Sequence, residues 1–116
     1  MIALAVDNNP TELKVLCEAI HELHPELEIV RFIDPLLALK YSISNKVDWL
    51  YASVIMKRLS GFKLEKLIRE DNPNLISNFI ADDDAYKDKA ISRMAYSYTI
   101  RPITAERLKL AEAEEW

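Results

Sequence analysis

Five apolar runs of strand length recur along this chain, and a helix signal follows each of them. The predicted strands span residues 2–6, 27–32, 48–53, 75–80 and 96–100. Because only a few residues connect each strand to the next helix, successive strands are expected to run in the same direction. The alternation therefore predicts an α/β fold, a doubly wound five-stranded parallel sheet with helices on both faces.

Side chains that cap helices mark where the predicted helices begin. Asn9 is followed by proline at the first helical position and by Glu12 three residues after the cap, which is a strong helix start. Asp34 with its following proline repeats this start, and Thr104 is predicted to cap the final helix. The three aspartates at 82–84 are predicted to cap a short fourth helix.

Composition narrows the class of protein and its surroundings. The 116 residues are 50% hydrophobic and 29% charged, with a formal net charge of −4. We expect residues 1–116 to form a single domain, and the negative charge argues against direct nucleic-acid binding. No apolar run reaches the roughly 20 residues of a membrane helix, so no membrane contact is expected. The single cysteine, Cys17, cannot form a disulfide within the chain, which is typical of a cytoplasmic protein.

Candidate site residues occur where the predicted strands end, at the carboxyl edge at which parallel α/β sheets bind ligands. Asp7 and Asn8 follow the first strand, Ser53 and Ile80 end the third and fourth, and Arg101 follows the fifth. The carboxyl ends of parallel strands share one edge of the sheet, so these residues should lie close together. Any functional site of the domain is expected there.

Four sequence blocks resemble the receiver domain of bacterial two-component response regulators, over essentially the whole chain. They are AVDN at 5–8, DWLYASVIMKRLSG at 48–61, FIADDD at 79–84 and YTIRPI at 98–103. FIDPLLALKY and RPITAERL are also similar to receivers that precede a LytTR-type DNA-binding domain. The resemblance implies a CheY-like, flavodoxin-like receiver fold with strand order 2-1-3-4-5.

The same resemblance implies a phosphorylation pocket whose working residues are altered. The family's pair of metal-binding acids falls on Asp7 and Asn8, and its phosphoaccepting aspartate falls on Ser53. The hydroxyl residue that contacts the phosphoryl group falls on Ile80, and the family lysine falls on Arg101. A serine cannot form an acyl phosphate. The resemblance therefore implies a degenerate pocket without catalytic residues, in a pseudo-receiver that is not an enzyme.

The chemistry of the remaining ligands supports the same expectation for a metal. Mg²⁺ prefers hard oxygen ligands and usually takes one or two carboxylates, whereas this edge offers Asp7 beside neutral Asn8 and Ser53. We expect Mg²⁺ binding to be weak or lost, and no cofactor. A partly buried carboxylate without a partner loses hydration at a cost. We therefore predict that the Arg101 guanidinium lies within about 4 Å of the Asp7 carboxylate, the usual distance for an ion pair.

The resemblance also implies a surface through which the domain contacts other proteins. The fourth helix, fifth strand and fifth helix form the family's usual dimer and partner face, which here would include Ile91, Met94, Tyr98 and Leu108. Tyr98 falls on the family's switch aromatic. The favoured function is a signalling domain that binds a protein partner or forms a homodimer, without aspartyl phosphorylation.

Two other functions stay open. One is the regulatory domain of a DNA-binding transcriptional regulator whose output domain is absent from these residues. The other is a small flavodoxin-like enzyme or nucleotide binder, although the one glycine, Gly61, is not in the loop after the first strand that would cradle a phosphate. His21 and His24 are expected to face solvent at the end of the first helix, which leaves Ser53 without a base to activate it.

Overall fold

The computed structural model describes residues 1–115 as strands and helices in strict alternation. Its strands are β1 (Ile2–Val6), β2 (Glu28–Phe32), β3 (Trp49–Ser53), β4 (Ile76–Ala81) and β5 (Ser97–Ile100). Its helices are α1 (Pro10–Leu23), α2 (Pro35–Ser44), α3 (Gly61–Asp71), α4 (Lys87–Ser92) and α5 (Ala105–Ala113). The predicted and observed strands differ by at most one residue at either end.

All neighbouring strands pair in parallel, in the order β2-β1-β3-β4-β5. The predicted doubly wound sheet and its strand order are therefore confirmed. The strand order reverses between β1 and β3, so their carboxyl ends flank the crevice at which such sheets bind ligands.

Alternate residues of β1 supply the two halves of the core. Ala3 and Ala5 pack with residues of α1 and α5, while Leu4 and Val6 pack with residues of α2 and α3. All four are fully buried, as expected for the central part of a parallel sheet that is covered on both faces.

Three of the predicted helix starts have the expected caps. The Asn9 side chain accepts hydrogen bonds from the backbone amides of Thr11 and Glu12 at the start of α1. Asp34 accepts the amide of the second residue of α2, and Thr104 accepts that of the third residue of α5. These caps satisfy amides that have no partner within their helices.

The predicted cap of the fourth helix is wrong. Helix α4 begins at Lys87 rather than next to the aspartates, and its N-cap residue makes no side-chain hydrogen bond. Asp83 instead accepts the amide of Ala85 in a local turn, and Asp82 pairs with Arg101. Partners within the loop and across the sheet edge therefore hold these carboxylates away from the helix.

A polar network joins α1, β3 and α5 at the amino edge of the sheet. The Tyr51 hydroxyl donates to one oxygen of Glu112 at 2.8 Å, and His24 Nε2 lies 2.7 Å from the other. The Glu112 side chain is 6% exposed, and the His24 ring packs against Trp49. The prediction that His24 faces solvent is therefore wrong, because the α5 carboxylate and the indole cover it.

Alkaline pH should destabilise the domain partly through Tyr51. Burial raises the pKa of Tyr51, and the neighbouring Glu112 carboxylate raises it further. The folded state thus holds the phenol proton more tightly than the unfolded chain, and this stability is lost as the pH rises past about 10, the unfolded pKa. We expect Tyr51→Phe to lower the free energy of unfolding by about 1 kcal/mol at pH 7. As the pH rises, urea unfolding should show a smaller additional loss for this variant than for the wild-type protein, because phenylalanine has no proton to release. If the stability of both proteins fell equally with rising pH, Tyr51 would not be the group responsible.

A buried carboxylate ties α4 to α3. Glu65 is fully buried and lies 2.6 Å from Arg69 Nε and 2.8 Å from an Arg93 terminal nitrogen. Arg93 is the C-cap residue of α4, and Arg69 also donates to Ser77 at the start of β4. The short α4 is therefore fixed at its C-terminal end.

Within residues 1–115, no helix is long and apolar enough to cross a membrane.

Candidate functional site

A cleft of about 540 Å³ opens at the carboxyl edge of the sheet, where the strand order reverses. Asp7 and Asn8 reach it from the end of β1, Ser53 from β3 and Arg101 from the end of β5. The sequence-predicted residues are thus brought together, with the exception of Ile80. The Ile80 side chain is buried in the core that faces α1 and α5.

Arg101 is the central side chain of this cleft. Its Nη2 donates to Asp7 Oδ2 at 2.7 Å and to Ser53 Oγ at 3.2 Å, and its Nη1 donates to Asp82 Oδ1 at 3.0 Å. Its Nε lies 3.4 Å from a Glu12 oxygen. The predicted ion pair between Arg101 and Asp7 is therefore confirmed. One guanidinium links β1, α1, β3 and the β4–α4 loop.

Electrostatics keep Arg101 charged in this position. Burial on its own would lower the pKa of the Arg101 guanidinium, but its hydrogen bonds and charge interactions with Asp7 and Asp82 outweigh burial and raise the pKa above its ordinary value. The Asp7 side chain is 7% exposed and that of Arg101 18%, so water screens their attraction only weakly.

Both oxygens of Asp7 already have protein partners. Oδ2 accepts from Arg101, and Oδ1 accepts from the backbone amide of Asn9 at 3.0 Å. Ser53 is also engaged, since its buried hydroxyl donates to the Ile55 carbonyl at 3.3 Å and accepts from Arg101. A hydroxyl that accepts from a guanidinium and donates to a carbonyl is not activated as a nucleophile.

Asn8 joins three loops rather than facing the cleft as a free ligand. Its Nδ2 donates to the carbonyl of Ile33 at 2.8 Å, and its Oδ1 accepts the backbone amide of Lys57. These contacts tie the β1–α1 loop to the loops that follow β2 and β3. An aspartate at this position could accept from Lys57 but could not donate to Ile33. The sequence pattern alone does not indicate this structural role of the Asn8 amide.

Tyr98 is buried, and it fixes the β4–α4 loop from the other side. Its hydroxyl donates to the Asp83 carbonyl at 2.6 Å and lies 3.4 Å from the amide of Tyr86. Burial raises the pKa of this phenol, and the nearby Asp83 and Asp84 carboxylates add to the increase. Arg101 holds Asp82 in the same loop, so two residues from β5 and its C-terminal end fix one conformation of the loop.

The predicted interaction face needs correction at two of its four residues. Ile91 and Met94 are 39% and 88% exposed, but Tyr98 is 4% exposed and Leu108 is fully buried. Leu108 packs into the core with residues of α1 and β4, because it lies on the inner side of α5. Tyr98 points under the β4–α4 loop. Neither side chain is available at the surface, and the role of the other two stays a prediction.

Comparison with known proteins identifies relatives of this architecture. No protein-family model matches the chain. A two-component response regulator of Arabidopsis thaliana is 29% identical over 110 residues, which are 94% of this chain but 18% of that protein. The chain thus spans about a fifth of the length of this relative. No group of three or more histidine, cysteine or acidic side chains within residues 1–115 is arranged to hold a metal ion.

Solved structures give the same result. The REC domain of AraT, a response regulator from Geobacillus stearothermophilus, is 26% identical with a TM-score of 0.83, over 97% of this chain and 89% of that one. The response regulatory domain of mrkE from Klebsiella pneumoniae is 24% identical with a TM-score of 0.84, over 97% and 92%. A CheY4 chemotaxis protein from Vibrio cholerae is 18% identical with a TM-score of 0.79, over 94% and 92%.

Proposed function

We propose that this chain, a response-regulator receiver domain by its fold and its relatives, signals through protein contacts without aspartyl phosphorylation. The observation that carries the proposal is the Arg101 guanidinium, which contacts Asp7 and Ser53 in the cleft. An acyl phosphate needs a carboxylate, and residue 53 supplies a hydroxyl. On this proposal the domain is a pseudo-receiver and has no enzyme activity.

The donor set of the cleft does not fit a carboxylate-bound Mg²⁺ ion. Asp7 uses both oxygens within the protein, and the Asn8 amide oxygen accepts from Lys57. The Arg101 guanidinium already contacts three carboxylates in the cleft. A divalent cation would have to displace the guanidinium from them. Mg²⁺ also demands near-ideal octahedral coordination and gives up its water reluctantly. We therefore propose that the domain works without a metal cofactor.

The fixed β4–α4 loop supports a domain whose binding surface is set without a phosphoryl signal. Arg101 holds Asp82, Tyr98 holds the Asp83 carbonyl, and Arg93 holds the end of α4 to Glu65. These contacts need no ligand. The exposed side chains of Ile91 and Met94 would then contact a protein partner or a second copy of the chain without a change in the conformation of this domain.

A second candidate is the regulatory domain of a DNA-binding response regulator. The observation that favours it is the length of the Arabidopsis relative, of which this chain spans 18%. In that case the output domain would carry the nucleic-acid contact, since this domain has a net charge of −4. A flavodoxin-like enzyme is less well supported, because the Ser53 hydroxyl donates to the Ile55 carbonyl and accepts from Arg101, and both histidines of the chain lie at the far end of α1. We place the domain in the cytoplasm as part of the proposal.

Incubation with acetyl phosphate and Mg²⁺ should leave the mass of the protein unchanged. Residue 53 offers no acceptor carboxylate, and the Arg101 guanidinium contacts both Asp7 and Ser53. Intact-protein mass spectrometry before and after incubation measures the result directly. Ser53→Asp should also stay unmodified, because Asn8 remains a neutral amide engaged with two loops.

The informative control is the double variant Asn8→Asp with Ser53→Asp, which restores both carboxylates and is expected to gain measurable Mg²⁺ binding by isothermal calorimetry. Its Arg101 should still compete with the ion. A hydroxylamine-labile phosphoryl group on the wild-type protein would sink the proposal.

A further inference from the structure

A shallow groove of about 590 Å³ lies at the amino edge of the sheet, opposite the cleft. One wall is formed by the starts of β4 and β5 and by the turn after α4, with Ile76, Met94 and Tyr96. The other wall is formed by the end of α5 and the two residues that follow it, with Glu112, Glu114 and Glu115. The groove is therefore apolar on one side and acidic on the other, and no lysine or arginine lines it within the described residues.

Met94 is the most unusual residue of the apolar wall. Its side chain is 88% exposed, and its backbone has φ of 58°, in the left-handed region that residues with a side chain rarely adopt. Solvation and backbone strain both disfavour this arrangement. A flexible, polarisable methionine held out from a turn is typical of surfaces that receive a partner.

The rest of the groove is preformed. Tyr96 is 44% exposed, and its ring edge packs on Trp49 at 5.5 Å between centroids. On the acidic wall, His24 and Tyr51 fix Glu112, and Glu114 pairs with Lys87 at 2.9 Å. Glu115 is exposed, and no ion pair is found for it within residues 1–115. Binding there would cost little reorganisation of the domain.

We infer that this groove binds a positively charged amphipathic segment of a partner protein. Apolar side chains of the segment would pack on Met94 and Tyr96, and its lysines or arginines would face the exposed carboxylates of Glu114 and Glu115 just after α5. Charge complementarity selects this occupant over an acidic one. The inference rests on the proposed signalling function and names the kind of partner. It places the contact at the edge that the cleft does not reach.

The test uses two labelled synthetic helical peptides that share a leucine face and carry either lysine or glutamate on the polar face. Fluorescence anisotropy should show at least about tenfold tighter binding of the lysine peptide. Met94→Ser and Glu115→Lys should each weaken that binding by roughly fivefold or more. Ile43→Ser, an equally apolar exposed site on α2 that is 67% exposed, should leave it unchanged.

Amide chemical-shift changes in the ¹⁵N-labelled protein should cluster at Ala95, Tyr96 and the end of α5. Equal binding of both peptides, or binding that all three variants leave unchanged, would overturn the inference. So would sedimentation showing a wild-type dimer that Met94→Ser abolishes, because a second copy would then be the occupant. No phosphodonor enters these measurements, so their failure is distinct from phosphorylation of the cleft.

Discussion

Replacing Arg101 with alanine should destabilise the fold by about 3 kcal/mol, as expected when a buried charge loses its partner. Asp7 is 5% exposed and would keep one hydrogen bond, from the amide of Asn9. The same substitution removes the donors to Ser53 and Asp82. A single side chain thus accounts for contacts among the ends of β1, β3 and β4, which explains the size of the expected effect.

Urea unfolding at pH 7 measures this loss, and two variants serve as controls. Ser53→Ala removes one hydrogen bond to the guanidinium and should cost less than about 1 kcal/mol. Arg58→Ala breaks the pair with Asp34, in which the arginine side chain is 61% exposed, and a loss within about 1 kcal/mol is expected. If Arg101→Ala proved as mild as Arg58→Ala, the cleft would not depend on the guanidinium.

Local signals in the sequence were sufficient for most of the fold. Capping residues such as Asn9 and Asp34 act through amides two or three residues away, so the helix starts could be predicted without tertiary information. The ion pair of Arg101 with Asp7 could also be predicted, because parallel strands bring their carboxyl ends to one edge. Opposite charges at two strand ends on that edge then suggest the contact, although β3 and β4 lie between β1 and β5.

Other contacts depend on tertiary neighbours that a sequence pattern does not identify. Asp82 is of a residue type that often caps helices, but Arg101 holds its carboxylate at the sheet edge. His24 lies where imidazoles often face water, but Glu112 of α5 reaches it across 88 residues of chain. Leu108 was assigned to a surface because of its helix, although only the packing of α5 shows which side of the helix is buried.

Gly61 shows how one position can be marked by sequence and explained by structure. As the single glycine of the chain it signals the end of the β3–α3 loop, but no turn conformation requires it there, since its φ is not positive. A Cβ atom at this position would meet the Ser53 carbonyl oxygen at 2.3 Å and the Val54 Cα at 3.2 Å. The glycine is needed because the first turn of α3 lies directly against the backbone of a central strand.

Gly61→Ala should therefore destabilise the domain, although alanine is the better helix former by about 1 kcal/mol. The clash is with main-chain atoms of β3, which is paired on both sides and cannot move alone. Relief requires α3 to shift and to weaken the hydrogen bond from the Gly61 amide to the Val54 carbonyl. Overpacking of this kind costs up to about 3 kcal/mol, which should exceed the gain in propensity. Lys63→Ala, at an exposed position in the same helical turn, is the matched control and should stay close to wild type in thermal and urea unfolding. A Gly61→Ala protein as stable as the control would mean that α3 can move away from β3 at little cost. The backbone beside Ser53 would then be less rigid than its hydrogen bonds indicate.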